Sequence, residues 1–423
     1  MNIIIFIFFI MFVYISYIVG NRDILSPWFI LCFMFFFCLI VTLVNVYNWD
    51  THYSFEGIWC LIIGIGSWGI GSIVAKKIQL KEKNITLKMS TRKISIKKYP
   101  TITVMLVSNI LTIIYIYKMT QFAGTINILK NLRIVYDKTI TGASIGFIGN
   151  QVFIILQVLA YISIYILLKK KRCKKIFVLV PILEYCICMI ISTDRNTFIR
   201  CFIYTFCIFI LLYRPTQKSN INFKIVKKAI PFISLGIVAF FLLGKSKNYQ
   251  SNFGRAISIY TGSGLYAFTL FVQQFNTKEM TYGFSTFYTI FGVFQKIGIP
   301  FKELSGYRFE KFIEYASTNG YYFSTNVYTA LKRYFEDFGM WGIVFIPLIS
   351  GFCYDIFYRY INKSEKDLSK IFYAMLIYPI IYYPIMEQMF TRMHLGTVYE
   401  IMWMYVLFNI LCKNSIIEEN NKL

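Results

Sequence analysis

Charge is scarce in this sequence, and most of it carries one sign. Only 15% of the 423 residues are charged, and 20 acidic residues stand against 44 basic ones. A soluble fold of this length breaks its apolar sequence into short patches at helical or strand period, and such patches are not the pattern here. Alternation is missing too: the apolar runs are continuous, whereas the strands of a membrane barrel alternate over about ten residues. Glycine-rich phosphate loops, H-E-x-x-H helices and Ser-His-Asp spacing are absent as motifs, so no nucleotide site and no cofactor is read. No internal repeat stands out. The first apolar block has no Lys or Arg ahead of it and no small-residue cleavage pattern behind it. It therefore reads as a retained span, not a signal peptide.

What the sequence does hold is hydrophobic residues, 57% of the chain, gathered in long blocks. A hydrocarbon core about 30 Å thick takes roughly 20 helical residues per crossing. The blocks Asn2–Val19, Pro27–Val46, Gly57–Ala75, Thr101–Tyr117, Ile145–Leu168, Ile176–Ile191, Phe198–Tyr213, Ala229–Gly244, Met340–Tyr360, Ile371–Met386 and Gly396–Cys412 meet that length. Helices satisfy their own backbone groups in lipid. The expectation is an all-α, polytopic transmembrane bundle of about eleven spans, counted by the length rule. It divides into an N-terminal bundle over 1–244, a long polar loop over 245–339, and a C-terminal group over 340–423 that ends in a tail.

A net charge of +24 invites a nucleic-acid partner, but the cations are not arranged for one. They cluster at 76–98, 169–175, 214–228 and 359–370. With the spans in order, all four clusters fall on one side, as the positive-inside rule requires. The N-terminus is then outside, the C-terminus is cytoplasmic, and the 245–339 loop is extracytoplasmic. Within that loop, Ala256–Val272 and Phe284–Ile299 are apolar enough to suggest helices in the interface, with aromatic residues at headgroup level. The ten cysteines lie in spans or on the cytoplasmic side, so no disulfide is expected. Cys186 and Cys188 have no His or further Cys at ligand spacing, so no metal site is read there.

Three outward segments hold the candidate chemistry. In Ser324–Gly342, a helix begun by Thr325 or Asn326 as N-cap puts Asn326, Ala330, Arg333 and Asp337 on one stripe, with Thr329 beside them. The plain alternative is an Arg333–Asp337 pair at i,i+4 that merely steadies the helix. In the turn Ser192–Asn196, Asp194 and Arg195 lie between two apolar spans, where an ionisable pair is a functional candidate and a snorkelling anchor is the alternative. Arg133 in the first outer loop and Arg255 and Arg308 in the long one extend a set of outward arginines that suits an anionic ligand. His394, in a connector with Glu387 and Arg392, has the pKa range of a general base, though a lone histidine is more often structural.

With the Arg133 loop, the "STDRNTF" turn that opens a span, and "TNVYTALKRYFEDFGMWG" closing the long outer loop, the chain resembles the Wzy-type oligosaccharide repeat unit (O-antigen) polymerases. The likeness covers most of the chain as topology, and its motif matches are confined to these short windows. It implies a glycosyltransferase of the bacterial inner membrane. Such an enzyme acts on undecaprenyl-diphosphate-linked oligosaccharides at the outer leaflet and makes O-antigen or capsule. A chain-length regulator and a flippase are then possible partners, alongside membrane lipids. Arg195, Arg333, Asp337 and His394 are the catalytic candidates on this basis, and Arg133, Arg255, Asn326, Tyr328 and Thr329 the substrate-binding ones. A lipid-linked oligosaccharide flippase and a ligase-like transferase are the competing readings.

Overall fold

The computed structural model describes residues 2–45, 49–78, 93–124, 145–169, 176–192, 195–213, 253–299, 301, 310–316, 322–364 and 366–415. In chain order the elements are α1 (Asn2–Val19), α2 (Pro27–Val44), α3 (Phe55–Lys77), β1 (Lys93–Ile96), α4 (Lys98–Ala123), α5 (Gly146–Lys169), α6 (Ile176–Ser192) and α7 (Arg195–Tyr213). They continue with α8 (Phe253–Gln274), α9 (Tyr288–Lys296), β2 (Ile313–Ala316), β3 (Tyr322–Thr325), α10 (Leu331–Lys363), α11 (Asp367–Leu376), α12 (Tyr378–Tyr382), α13 (Leu395–Leu411) and β4 (Cys412–Ser415). The fold is all-α apart from two antiparallel pairings of four-residue strands, β1 with β4 and β2 with β3. The expected span Ala229–Gly244 lies outside the described residues.

Among the described residues, five helices are long and apolar enough to cross a membrane: Pro27–Val44, Phe55–Lys77, Tyr99–Ala123, Gly146–Lys169 and Leu331–Lys363. At about 1.5 Å per residue, even the shortest reaches roughly 27 Å. Shorter apolar helices cover Ile3–Val19, Val178–Ser192, Asn196–Leu212 and Leu395–Leu411. Exposed apolar side chains recur on long and short helices alike: Ile3 of α1, Ile113 of α4 and Val398 of α13 are 74%, 67% and 59% exposed. Extensive apolar surface marks a membrane or partner interface.

The chain divides into two compact units, one of Met1–Gln79, Ser251–Glu365 and Leu376–His394, the other of Leu80–Gln250, Lys366–Met375 and Leu395–Leu423. In the first unit, α3 and α10 lie against each other along a face of glycines. A Cβ on Gly71 would stand 2.0 Å from the Leu348 carbonyl oxygen, and one on Gly351 would stand 2.2 Å from that of Trp68. Small residues let two membrane helices approach backbone to backbone, where dispersion and close fit replace the missing hydrophobic drive. Trp68 then meets Tyr383 edge-on at 5.2 Å. At the far end of α3, Arg359 donates to the carbonyls of Ala75 and Ile78, closing the helix C-terminus with a cation.

Two sequence expectations need correction. Ile371–Met386 is not one continuous helix: it breaks at Ile377 into α11 and α12 and then turns through 383–394. Pro379, in the first turn of α12, lacks the N–H that would continue α11, and Pro384 ends α12 in the same way. The helix expected from Thr325 or Asn326 begins only at Leu331. Thr325 ends β3, its hydroxyl accepts the Val327 N–H at 3.1 Å, and 326–329 have no regular secondary structure. That local side-chain bond competes with a helical start.

The apolar segments of the long loop are helical. α8 packs where the 45–54 connection leaves α2 and enters α3: Thr42 donates to the Gly262 carbonyl at 2.7 Å and Ser54 to that of Thr269 at 3.0 Å. α9 has nine residues, too few to cross a hydrocarbon layer that takes roughly 20.

The second unit centres on α5, which packs with α4, α6, α7 and α13. Tyr161 and Tyr204 stack at 4.1 Å, the Tyr204 hydroxyl donates to the Tyr161 carbonyl, and Trp403 donates to Gln151 at 3.2 Å. Arg200 of α7 stands 3.5 Å from Glu400 of α13. Lys169 and the Tyr165 hydroxyl both donate to Asp367 at the start of α11.

Substituting Gly71 by Leu should force α3 from α10, because the obstacle is backbone and cannot rotate away. Overpacking costs typically about 1–3 kcal/mol, and this site should lie at the top of that range. Thermal unfolding of the purified variant in nanodiscs checks it. Gly66→Leu, with only the Phe12 ring 3.8 Å from its Cβ, should be far milder.

Candidate functional site

The chemistry-bearing residues of the first unit converge where α10 begins. Gly339 has φ +56°, so α10 is a short segment over 331–338 joined across a break to the long apolar segment that follows. Glycine meets that backbone without a Cβ clash. The break is tight: a Cβ on Gly342 would lie 2.0 Å from the Tyr334 carbonyl oxygen. The short segment carries Lys332, Arg333, Glu336 and Asp337, and Lys332, Arg333 and Asp337 are 6%, 5% and 0% exposed.

Asp337 is held by the turn at 281–286. Ser285 N–H reaches one carboxylate oxygen at 3.0 Å, Thr286 N–H the other at 2.6 Å, and the Thr281 hydroxyl also donates. Tyr282 and Gly283, both at positive φ, shape the turn so that these donors point inward. The Ser285 hydroxyl donates to Glu336, and the Ser285 carbonyl accepts from Arg333 Nη1 at 2.8 Å.

The two cations share one carboxylate. Glu310 takes Arg333 Nε at 2.6 Å on one oxygen and Lys332 Nζ at 2.8 Å on the other. Lys332 also meets Glu336 at 2.8 Å and lies over the rings of Phe271 and Tyr328, at 4.8 and 5.6 Å. Arg333 lies over Tyr288 at 4.8 Å. Burial alone would raise the pKa of Glu310, but Lys332 and Arg333 outweigh it and hold the carboxyl below its ordinary value. Burial, then Glu310 and Glu336, push the Tyr328 hydroxyl upward, and it donates to the Lys311 carbonyl at 3.0 Å.

Glu387 forms the far wall. Its oxygens accept Phe390 N–H at 2.8 Å, Thr391 N–H at 2.9 Å and the Thr391 hydroxyl at 2.7 Å, with the Tyr334 hydroxyl 3.4 Å away. The Thr391 contacts fix the turn after α12, and Thr289 of α9 donates to the Phe390 carbonyl at 2.6 Å.

No known protein family, curated protein or solved structure matches the chain.

Of the residues singled out in the sequence, Arg333 and Asp337 share this network, with Tyr328 and Thr329 beside it. The Thr329 carbonyl accepts the Lys332 N–H at 3.1 Å, and its buried hydroxyl has no hydrogen-bond partner among the described residues. Arg333 and Asp337 each engage other groups, so the network goes well beyond a simple i,i+4 pair. Asn326 is half-buried in the irregular run before the helix, off the expected stripe. His394 is exposed just ahead of α13, outside the ion pairs described. Arg195 opens α7 and Arg255 lies in the first turn of α8. Their side chains are outside the described residues, as are Arg133, Asp194 and Arg308 altogether. Among the described residues no three His, Cys, Asp or Glu side chains converge as metal ligands.

Glu310, Glu336, Glu387 and the 281–286 turn are members that sequence reasoning did not single out. Glu310 is a lone acid among aromatics in "YRFEKF", without local periodicity to mark it. Glu387 stood in plain view beside His394, and its signal was the threonine four residues on, whose N–H and hydroxyl it binds.

Because the folded pKa of Glu310 lies below the ordinary value of 4.5, its contribution to stability is complete above that value. It is lost as pH falls through the lower, folded pKa. The difference in melting temperature between wild type and Glu310→Gln should therefore be constant from neutral pH to about 5 and shrink at lower pH. Thermal scans of both proteins across that range read the difference directly.

Proposed function

We propose that this chain is a multi-pass glycosyltransferase of the bacterial inner membrane that polymerises undecaprenyl-diphosphate-linked oligosaccharide repeats into a surface polysaccharide. On this reading the chain crosses the bilayer about eleven times, once through the broken Ile371–Met386 segment and otherwise by apolar blocks counted by length. The N-terminus and the 245–339 segment face outward, and the basic loops and C-terminus face the cytoplasm. The observation that carries the reading is the "TNVYTALKRYFEDFGMWG" segment: it places two buried cations and an oriented carboxylate where a long apolar helix begins.

In such a transfer the growing glycan leaves its lipid diphosphate for a hydroxyl of the next lipid-linked repeat. Negative charge builds on the departing diphosphate, and a fixed guanidinium stabilises it where it develops. Arg333, held over Tyr288, has that preorganisation, and Arg195 is the second candidate. Asp337 is engaged on both oxygens by the 281–286 turn, which suits it to hold that turn in place. His394, being exposed, is the more accessible acceptor for the proton of the attacking hydroxyl. Arg133, Arg255, Asn326, Tyr328 and Thr329 remain candidates for sugar and phosphate contacts. The diphosphate itself supplies the activation, so no nucleotide sugar enters.

A flippase for the same lipid-linked substrate is the second reading. It is favoured by the Arg200–Glu400 pair and by Glu184, a buried carboxylate on α6. Ionisable groups within apolar helices often mark transport paths.

Deleting the gene separates the two. A polymerase leaves surface glycan capped at one repeat, with its lipid-linked precursor displayed outside, whereas a flippase leaves the precursor facing the cytoplasm. Arg333→Ala and Arg195→Ala should each abolish chain extension at normal protein abundance, and full-length polymer in either removes that residue from the mechanism. Reporter fusions after Lys175 and after Tyr321 should read cytoplasmic and outside respectively.

A further inference from the structure

The cations at the start of α10 are already neutralised. Glu310 reaches them from 310–312, a stretch with no regular secondary structure, whereas Glu336 and Asp337 are fixed to the same helix as the cations. Asp337 is bound by two N–H groups and a hydroxyl, and Glu387 by the 390–391 turn. Glu310 differs: its carboxylate oxygens accept from Arg333 Nε and Lys332 Nζ, so both of its ion pairs go to the two cations. The next two residues, Lys311 and Phe312, are exposed, and Lys311 is tied by the Tyr328 hydroxyl.

One guanidinium and one ammonium converging on two oxygens of a single anion is the arrangement that grips a phosphate. We infer that Glu310 is an internal ligand occupying a phosphate subsite formed by Lys332 and Arg333, and that a phosphate-bearing ligand binds by displacing it.

The consequence rests on the proposed reading only in naming the ligand as a lipid diphosphate. Displacement exchanges the ion pairs of one carboxylate for those of a more highly charged group, so the cations are never left buried and alone. A bare buried Lys–Arg pair is costly, and Glu310 removes that cost when no ligand is present. The same occupancy scales apparent affinity down to the fraction of molecules in which the subsite is open.

The test is calorimetric titration of the full-length protein in nanodiscs with inorganic diphosphate. Glu310→Gln keeps the shape and removes the charge, and it should bind about tenfold tighter than wild type if nine-tenths of the wild-type subsites are self-occupied. The gain should vanish in Glu310→Gln with Arg333→Gln. Equal affinity of wild type and Glu310→Gln overturns the inference, as does a gain that survives loss of Arg333. If Glu310→Gln does not fold, Glu310→Asp retains the charge on a side chain one methylene shorter. It should also bind tighter than wild type, and unchanged affinity overturns the inference equally. Repeating the titration with undecaprenyl diphosphate distinguishes sources: a gain there as well assigns the subsite to the lipid headgroup, and a gain with the inorganic anion alone assigns it to a free anion. None of these readouts needs chain extension, so failure of the polymerase reading in the deletion strain is separable from failure here.

Discussion

Lys332 and Arg333 are positioned by a contact made further along the same helix. Gly71 and Gly351 let α3 and α10 meet at backbone distance, and that contact fixes the axis of the long apolar segment. A pair of helices locked in this way has little freedom to roll, since interiors at close-packed density do not deform continuously. Whatever stands at the upper end of α10 inherits that rigidity. The break at Gly339 then redirects the chain, so residues 331–338 leave the path of the apolar segment and carry four charged side chains into the loop region.

Those charges set the second constraint. Burying an ionised side chain is tolerated only with partners. Here the partners come from well-separated stretches of chain: Ser285 and Thr286, Glu310, and the carboxylate at 387 through Tyr334. The network therefore works as a clasp that gathers the long loop onto the head of α10. It brings together segments that are individually short on regular structure. Aromatic rings complete it, with Phe287 against Phe390 at 4.9 Å and Phe275 against Phe335 at 5.5 Å.

Most helices were legible from block length alone, because the 3.6-residue helix and a fixed hydrocarbon thickness leave little choice for a long apolar run. α1 and α13 fall where the length rule put them, within one residue at each end. The rule failed where local chemistry overrode composition. Pro379 and Pro384 interrupt an apolar block that counts as continuous by hydropathy, and Thr325 diverts the chain into an irregular run before Leu331. The polar stripe was legible in part: Arg333 and Asp337 are four residues apart on one helix, and any helical reading puts them on one side. Glu310 was not, because its role comes from tertiary approach and nothing in its neighbours announces it. The α3–α10 contact was also hidden, since glycines scattered through an apolar helix show close approach only once the partner is known.

The residues just past the break have their own consequence. Trp341 is 70% exposed and stacks with Phe345 at 5.5 Å, directly after Gly339. Indole rings favour the headgroup layer, apolar on one edge and able to hydrogen-bond on the other. On the proposed membrane reading, an exposed Trp at the bend is a depth stop: it resists both sinking of the helix into the hydrocarbon and its withdrawal into water. The clasp lies within about two and a half helical turns of that stop, a height of about 14 Å at most. On that reading the ring and the α3–α10 contact together hold the buried cations at one height over the lipid surface, independently of whatever they bind.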